Sequence, residues 1–353
     1  MAPHFLFVES YRKRGQRCFN YTITMNGKDF ILLKQQNWAK RKGIELVPGT
    51  IGSNGEKNYV SKVAQNLFEP LSEDNFACYN QGDGNETKDG GKRRAKMKAL
   101  HSSSAIVVNL FQYWQRENGI HLPSLLRALK LPATRYVGKE YKNVGSQTDC
   151  TIVETSKPLS FNGIKFEEKF EISPDKALFP HTPNIDVVIY GDYDFAIESK
   201  FTEPYSSKHD GLKTKYVEDT SFWESLPNLY ELAKEISPYN NKFRYLDAAQ
   251  LIKHVLGLKK KYIKTHSDMQ TSSGHALKIA AKPYEFYLVY LWYDVLGEDG
   301  FKHREEIEQF ARIAEEDGIR FKHITYQEVI ANLSKDCYEG NEAYCDYMTE
   351  RYL

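Results

Sequence analysis

Apolar positions recur with two different periods along this chain, and the period changes from one stretch to the next. Between Tyr245 and Leu258, residues Ala248, Leu251, Ile252 and Val255 fall at i, i+3, i+4 and i+7, the spacing of one helix face. Ile307, Phe310, Ala311 and Ala314 repeat that stripe, and Gly318 stands where such a helix ends. A third stripe, Ile106, Leu110 and Tyr113, follows Ser102 and Ser103, either of which can cap a helix; Asn109 sits inside it. Thr325 with Glu328 three residues on has the form of a capping box and predicts a final helix. Strands are expected at Asp149–Glu154, Phe166–Ile172, in a hairpin from Asn184 to Lys200, at Tyr284–Val295 and at Phe321–Ile324. Near the start, Asn26-Gly27 reads as a hairpin turn between two strand-like runs. Gln81 to Arg94, rich in glycine and charge, reads as a loop. The alternation predicts an α/β protein, a central mixed sheet flanked by helices, with an α+β N-terminal extension.

Composition narrows the class. A chain of 353 residues makes one large domain or two, and a net charge of +1 provides no global field toward nucleic acid or membrane. Anions would have to meet local patches, such as Lys92–Arg94 with Lys96 and Lys98, or Lys259–Lys261 with Lys264. Five cysteines, an odd number with no CxxC, argue against a disulfide scaffold or zinc knuckle and suit a reducing cytoplasm. The opening MAPHFLFVESYRKRG has no basic region ahead of its apolar run and is a poor signal peptide. The run Tyr284–Leu296 is too short to span a bilayer and carries Glu285 and Asp294, so no membrane partner is expected. There is no GxSxG, phosphate-binding loop or HExxH.

The hairpin NIDVVIYGDYDFAIESK raises the chemical question, because three charges interrupt a dry pattern. If Gly191, Asp192 and Tyr193 form the turn, Asp186 faces Glu198 across the strands, and Lys200 shares the face of Glu198. An ordinary cross-strand salt bridge is one reading. The other is a metal site: two close carboxylates repel unless a cation lies between them, and oxygen ligands favour Mg²⁺. Lys200 would then act on a metal-activated water or on the scissile phosphate of a phosphodiester.

Pro183-x-x-Asp186 followed by Glu198-Ser199-Lys200 resembles the PD-(D/E)XK nuclease superfamily. Further stretches resemble a bacterial family of type II restriction endonucleases: LHSSSAIVVNLF from Leu100, FEEKFEI from Phe166, IESKFTEPY from Ile197, LDAAQLIKHVLGL from Leu246 and TYQEVI from Thr325. The resemblance implies a restriction-endonuclease-like core over 96–353 with C-terminal strand–helix additions, and an extension over 1–95 that reads DNA. It implies a Mg²⁺-dependent enzyme (Mn²⁺ as a substitute) cutting double-stranded DNA in a bacterial cytoplasm, beside a cognate DNA methyltransferase. A homodimer suits a palindromic site. Asp186 and Glu198 match the metal ligands, the Ser199 backbone carbonyl a further ligand, and Lys200 the motif lysine. On the helix after the hairpin Gln250 matches a polar residue near the metal water, while His254 reads as a surface histidine. The superfamily often has an acid on its first core helix, and the helix from Ser102 has none before Glu117. Glu168, on the strand face shared with Phe166, Phe170 and Ile172, or Glu86 in the glycine-rich loop would replace it. A repair, transposon or RNA nuclease on the same core, and a non-catalytic DNA-binding protein retaining it, are the alternative functions.

Overall fold

The computed structural model describes residues 25–81, 85–119, 121–143, 150–206, 208–273 and 286–353. Before the main sheet come α1 (Gly27–Arg41), β1 (Val47–Pro48), β2 (Lys57–Tyr59), α2 (Glu73–Gln81), α3 (Ser103–Phe111), α4 (Leu122–Ala128) and a separate hairpin, β3 (Thr134–Asn143) with β4 (Cys150–Pro158). The main sheet has five strands in the order β5 (Phe161–Lys169), β6 (Asn184–Gly191), β7 (Asp194–Lys200), β8 (Phe286–Trp292) and β9 (Phe321–Thr325). β5, β6 and β7 pair antiparallel, whereas β7, β8 and β9 run parallel, so the sheet is mixed. Parallel neighbours need long crossovers. The first carries α5 (Glu203–Ser206), α6 (Thr214–Glu218), α7 (Pro227–Glu235) and α8 (Ala248–Ser273), and the second α9 (Glu298–Glu316). The chain ends with α10 (Tyr326–Asp336) and α11 (Glu342–Tyr352).

Strand alternation sorts the core into two layers. Val187, Ile189, Phe195, Ile197, Val289 and Leu291 face the layer of α3, α4, α10 and α11. Val188, Ala196, Leu288 and Tyr290 face α7, α8 and α9. The mixed sheet flanked by helices is as the alternation of patterns predicts. The helix starts at Ser102, whose side chain accepts from the Ala105 N–H, and at Thr325, where the capping box closes, also agree. Among the described residues no helix is long and apolar enough to cross a membrane.

Three local expectations change. Asn26-Gly27 is not a hairpin turn: the Asn26 side chain accepts from the Asp29 N–H and caps α1, the alternative use of a short polar side chain before a helix. Residues 1–24, with the strand-like run expected there, lie outside the described residues. The helix capped by Thr325 is not the last, because α11 comes after it. Phe166 does not share a face with Phe170 and Ile172: Phe166 joins the α3 layer, whereas the other two join the α8 layer.

Ile31, Leu67 and Tyr79, from the N-terminal part, lie in the same apolar cluster as α3 and the sheet. A buried polar network locks that part to the C-terminus. Asn109, the polar residue in the α3 stripe, donates to Asn66 O (3.1 Å) and the Tyr352 hydroxyl (2.9 Å), and accepts from Phe68 N (2.7 Å). Arg351, 1% exposed, donates to Gln35 Oε1 (3.0 Å), Asn66 O (2.7 Å) and the Asn66 side chain. Its guanidinium lies 4.2 Å from the centre of the Trp38 ring. A buried group stripped of its partner costs roughly 1–3 kcal/mol. Asn109→Leu, similar in volume but mute as a hydrogen-bond partner, is therefore expected to lower unfolding stability by about 2 kcal/mol or more in urea titration. An unchanged urea midpoint would show that the network does not hold the termini together.

Candidate active site

The β6–β7 hairpin fixes the site by its register. Asp192, in the turn, exchanges bonds with Ser160: its N–H donates to Ser160 O (3.0 Å) and its Oδ2 accepts from Ser160 N (3.0 Å). A Cβ on Gly191 would meet Ser160 O at 2.4 Å, so that turn position admits glycine alone without a shift. The ladder pairs Val187 with Ile197, Val188 with Ala196 and Ile189 with Phe195. One step further, the same register sets Asp186 across from Glu198, as counting back from the turn predicts. Ser199 N donates to Asp186 Oδ2 at 2.7 Å.

Glu198 and Lys200 stand at the carboxyl end of β7, where the parallel half of the sheet begins. Open α/β sheets place their ligands at the carboxyl ends of strands. Glu198 is 1% exposed, and each of its oxygens has a partner. Oε1 accepts from Lys200 Nζ at 2.6 Å, and Oε2 accepts from His254 Nε2 at 2.9 Å. Lys200 Nζ also donates to Gln250 Oε1 at 2.8 Å. Gln250 and His254 are four residues apart on α8, hence one above the other on a single face. Asp247 sets the start of that helix, its Oδ1 accepting from Gln250 N at 2.9 Å.

His254 is thus not a surface histidine. It is 1% exposed, and its Nδ1 is buried with no hydrogen-bond partner. The reason lies in α8, whose first turns bury Ala249, Leu256 and Leu258 as well as the expected stripe, so helix and surroundings cover nearly every side. A helix covered all round gives no amphipathic signal to separate a polar core residue from a solvent-facing one.

The charges in this group pull one another in opposite directions. Burial alone raises the Glu198 carboxyl, but the Lys200 ammonium and His254 outweigh it and hold the pKa at about 2. Burial likewise disfavours the charged Lys200, yet Glu198, Asp186 and Glu203 outweigh that and keep it firmly protonated. Asp186 is raised well above its ordinary range, first by burial and then by the Glu198 charge, with Lys200 opposing.

Glu167 rather than Glu168 lies opposite Asp186. The β5–β6 ladder pairs Phe166 with Val187 and Glu168 with Ile185, which leaves Glu167 opposite Asp186. Glu167 has φ of +55°, a left-handed conformation that breaks the strand's alternation at this point. Glu168 accepts from the Tyr190 hydroxyl at 2.7 Å instead. Glu167 accepts from Asn184 Nδ2 at 2.9 Å; burial raises its pKa, and Glu86 and Glu198 add to the rise. Glu86 accepts from Ser104 Oγ (2.9 Å) and Lys96 Nζ (3.0 Å), so it caps the α3 side of the group rather than joining Asp186 and Glu198 directly. The α3 helix supplies no acid, as its sequence predicts.

Among the described residues no three His, Cys, Asp or Glu side chains lie close enough to hold a metal by themselves. Asp186, Glu198 and the Ser199 carbonyl provide oxygen donors only, the set that suits a hard cation retaining much of its water shell. Such a cation would also relieve the repulsion that raises Asp186.

Comparison with known proteins agrees with a nuclease setting. Residues 32–353 match the model of a family described as Restriction Endonuclease associating with ARP, and the chain belongs to that family. No curated protein and no solved structure matches it.

The two carboxylates should respond to pH with opposite sign. Folding raises Asp186 above its ordinary 3.8, so ionising it in the folded state is penalised once pH climbs past that value. In EDTA at pH 7–8, Asp186→Asn is expected to melt above the wild type, with the gap closing as pH falls toward about 4. Folding lowers Glu198 from 4.5 to about 2, so the stability it lends is present above 4.5 and lost as pH falls toward 2. Glu198→Gln should accordingly melt below the wild type at neutral pH. Thermal melts of both variants across pH test this, and shifts of the same sign would reject the charge arrangement.

Proposed function

We propose that this chain is a Mg²⁺-dependent endodeoxyribonuclease, a type II restriction enzyme on a PD-(D/E)XK core, hydrolysing phosphodiester bonds of double-stranded DNA. The observation that carries this reading is Lys200 Nζ held between Glu198 Oε1 and Gln250 Oε1, with Asp186 across the hairpin, at the carboxyl end of β7. Membership of a restriction-endonuclease family supports it.

Each residue has a role in this reading. Asp186, Glu198 and the Ser199 backbone carbonyl hold Mg²⁺, with Mn²⁺ as a substitute. When bound, the ion would supply a lowered pKa for a water nucleophile and polarisation of the phosphate. Lys200, kept as an ammonium by the carboxylates around it, is a donor rather than a base at neutral pH. It stabilises the charge that develops on the scissile phosphate. Gln250 aims Lys200, and His254 fixes the Glu198 carboxylate from behind. The enzyme works as a homodimer on a palindrome, with a cognate DNA methyltransferase. ARP, named in the family's description, is a further partner.

Plasmid DNA with and without Mg²⁺ tests the reading: discrete bands are expected only with the metal. Asp186→Ala and Glu198→Ala should abolish cutting while duplex binding in Ca²⁺ survives. Lys200→Ala should lower cutting by about 10²-fold, the scale of one lost charge-stabilising donor. Near-normal cutting by any of the three would remove that residue from the site.

Glu167 and Glu168 separate by the same assay. Glu167→Gln is expected to lower cutting and Glu168→Gln to leave it nearly unchanged. The reverse order would return the third carboxylate to Glu168.

A further inference from the structure

The basic runs that stand out in the sequence are partly neutralised in the fold. Lys96 pairs with Glu86 and Lys98 with Asp89. Lys260 pairs with Glu171 and Lys261 with Asp194, while Lys259 is buried against the carbonyls of Phe222 and Glu224. A second gathering of positive charge is built from lysines far apart in sequence.

A pocket of about 420 Å³ opens between residues 181–183, the segment 208–216 and the first turns of α8. Lys208, Lys213, Lys215 and Lys253 line it. Among the described residues Lys208, Lys213 and Lys253 have no ion-pair partner. Lys215 rests on the Leu178 carbonyl and over the Phe179 ring, 4.7 Å from its centre, and burial together with Lys213 lowers its pKa. Two carboxylates share the lining, but Asp247 is already engaged, capping α8 through Oδ1 and lying 3.7 Å from His209 Nδ1 through Oδ2. Four lysines therefore face two carboxylates, an excess of positive charge in a chain whose whole net charge is +1. Like charges gathered with too little counter-charge are unfavourable, and a bound polyanion offsets that.

The pocket adjoins the site. Pro183 lies three residues before Asp186, and Lys253 lies three residues after Gln250 and directly before His254. We propose that this pocket seats the phosphate backbone of the DNA duplex next to the scissile bond, with Lys208, Lys213, Lys215 and Lys253 contacting successive phosphates without reading bases. The assignment rests on the endonuclease reading. Four lysines spread over the segment 208–216 and α8 match a run of phosphates better than one compact anion, since a DNA strand carries a charge roughly every 3.4 Å.

The test is salt-dependent binding of a fluorescent duplex in Ca²⁺, comparing the wild type with the triple variant Lys208→Ala, Lys213→Ala, Lys253→Ala. Each lost phosphate contact removes about 0.9 from the slope of log K against log salt, so the triple variant should lose about 2 to 3. The loss should be alike on unrelated sequences, and the triple Lys→Arg variant should keep the wild-type slope. If the triple variant melts early, the three single variants replace it, each expected to lose about 0.9. An unchanged slope in alanine variants of a wild type that binds and cuts overturns the pocket assignment alone. A wild type that neither binds duplex in Ca²⁺ nor cuts in Mg²⁺ overturns the endonuclease reading and the pocket with it.

Discussion

A carboxylate that is 1% exposed stays ionised only if both of its oxygens are met by donors, and Glu198 meets that condition through Lys200 and His254. Much of the fold answers to this one demand. Lys200 comes from the same strand face two residues on. His254 can arrive only if α8 lies across the carboxyl end of β7, so the helix layer and the sheet are fixed relative to each other by a polar contact as well as by apolar packing. Gln250, one turn earlier on α8, then necessarily falls beside Lys200. Asp186 shows the complementary case: it lies part-buried across from Glu198 but has one main-chain donor in place of Lys200 and His254, and its carboxyl is pushed up where that of Glu198 is held down.

The other half of the molecule is tied by a different polar device. Asn66, Asn109 and Arg351 bring together a loop near the N-terminal part, the helix behind the sheet and the last helix of the chain. Hydrogen bonds fix geometry that apolar contact alone leaves adjustable. The network holds α3 in place behind the sheet, and Ser104 near its start in turn meets Glu86, whose charge reaches Glu167.

How much of the structure is legible in the sequence depends on how local each signal is. The hairpin register is legible because a three-residue turn and a period of two determine it together; the same arithmetic puts Asp186 opposite Glu198. The capping box at Thr325 is legible because all its parts lie within four residues. His254 is not, because α8 is buried on more sides than its stripe suggests, and no pattern marks the buried polar member of such a helix. Glu167 is hidden for another reason: a single residue at φ +55° inverts the strand's faces, and glutamate gives no notice of that conformation as glycine would. Asn26-Gly27 is ambiguous because the same dipeptide serves a tight turn and a helix start, and the residues after it decide between them. The free lysines around the pocket of segments 181–183 and 208–216 are invisible in sequence because sequence shows runs, whereas ion pairing decides which charges remain.

The parallel pairing of β7 with β8 governs the order of assembly. β6 and β7 meet over a three-residue turn, but β8 joins them only after the whole stretch 201–285 has been closed into a loop, a slow and entropically costly step. Before that closure Asp186 and Glu198 face each other in water, where their repulsion is weak and α8 is absent. During synthesis, a chain that has not yet delivered residue 254 carries the hairpin without the helix that makes its burial tolerable. The chemistry proposed for Lys200 is therefore withheld from the nascent protein and becomes available only when the sheet, the crossover and α8 are complete.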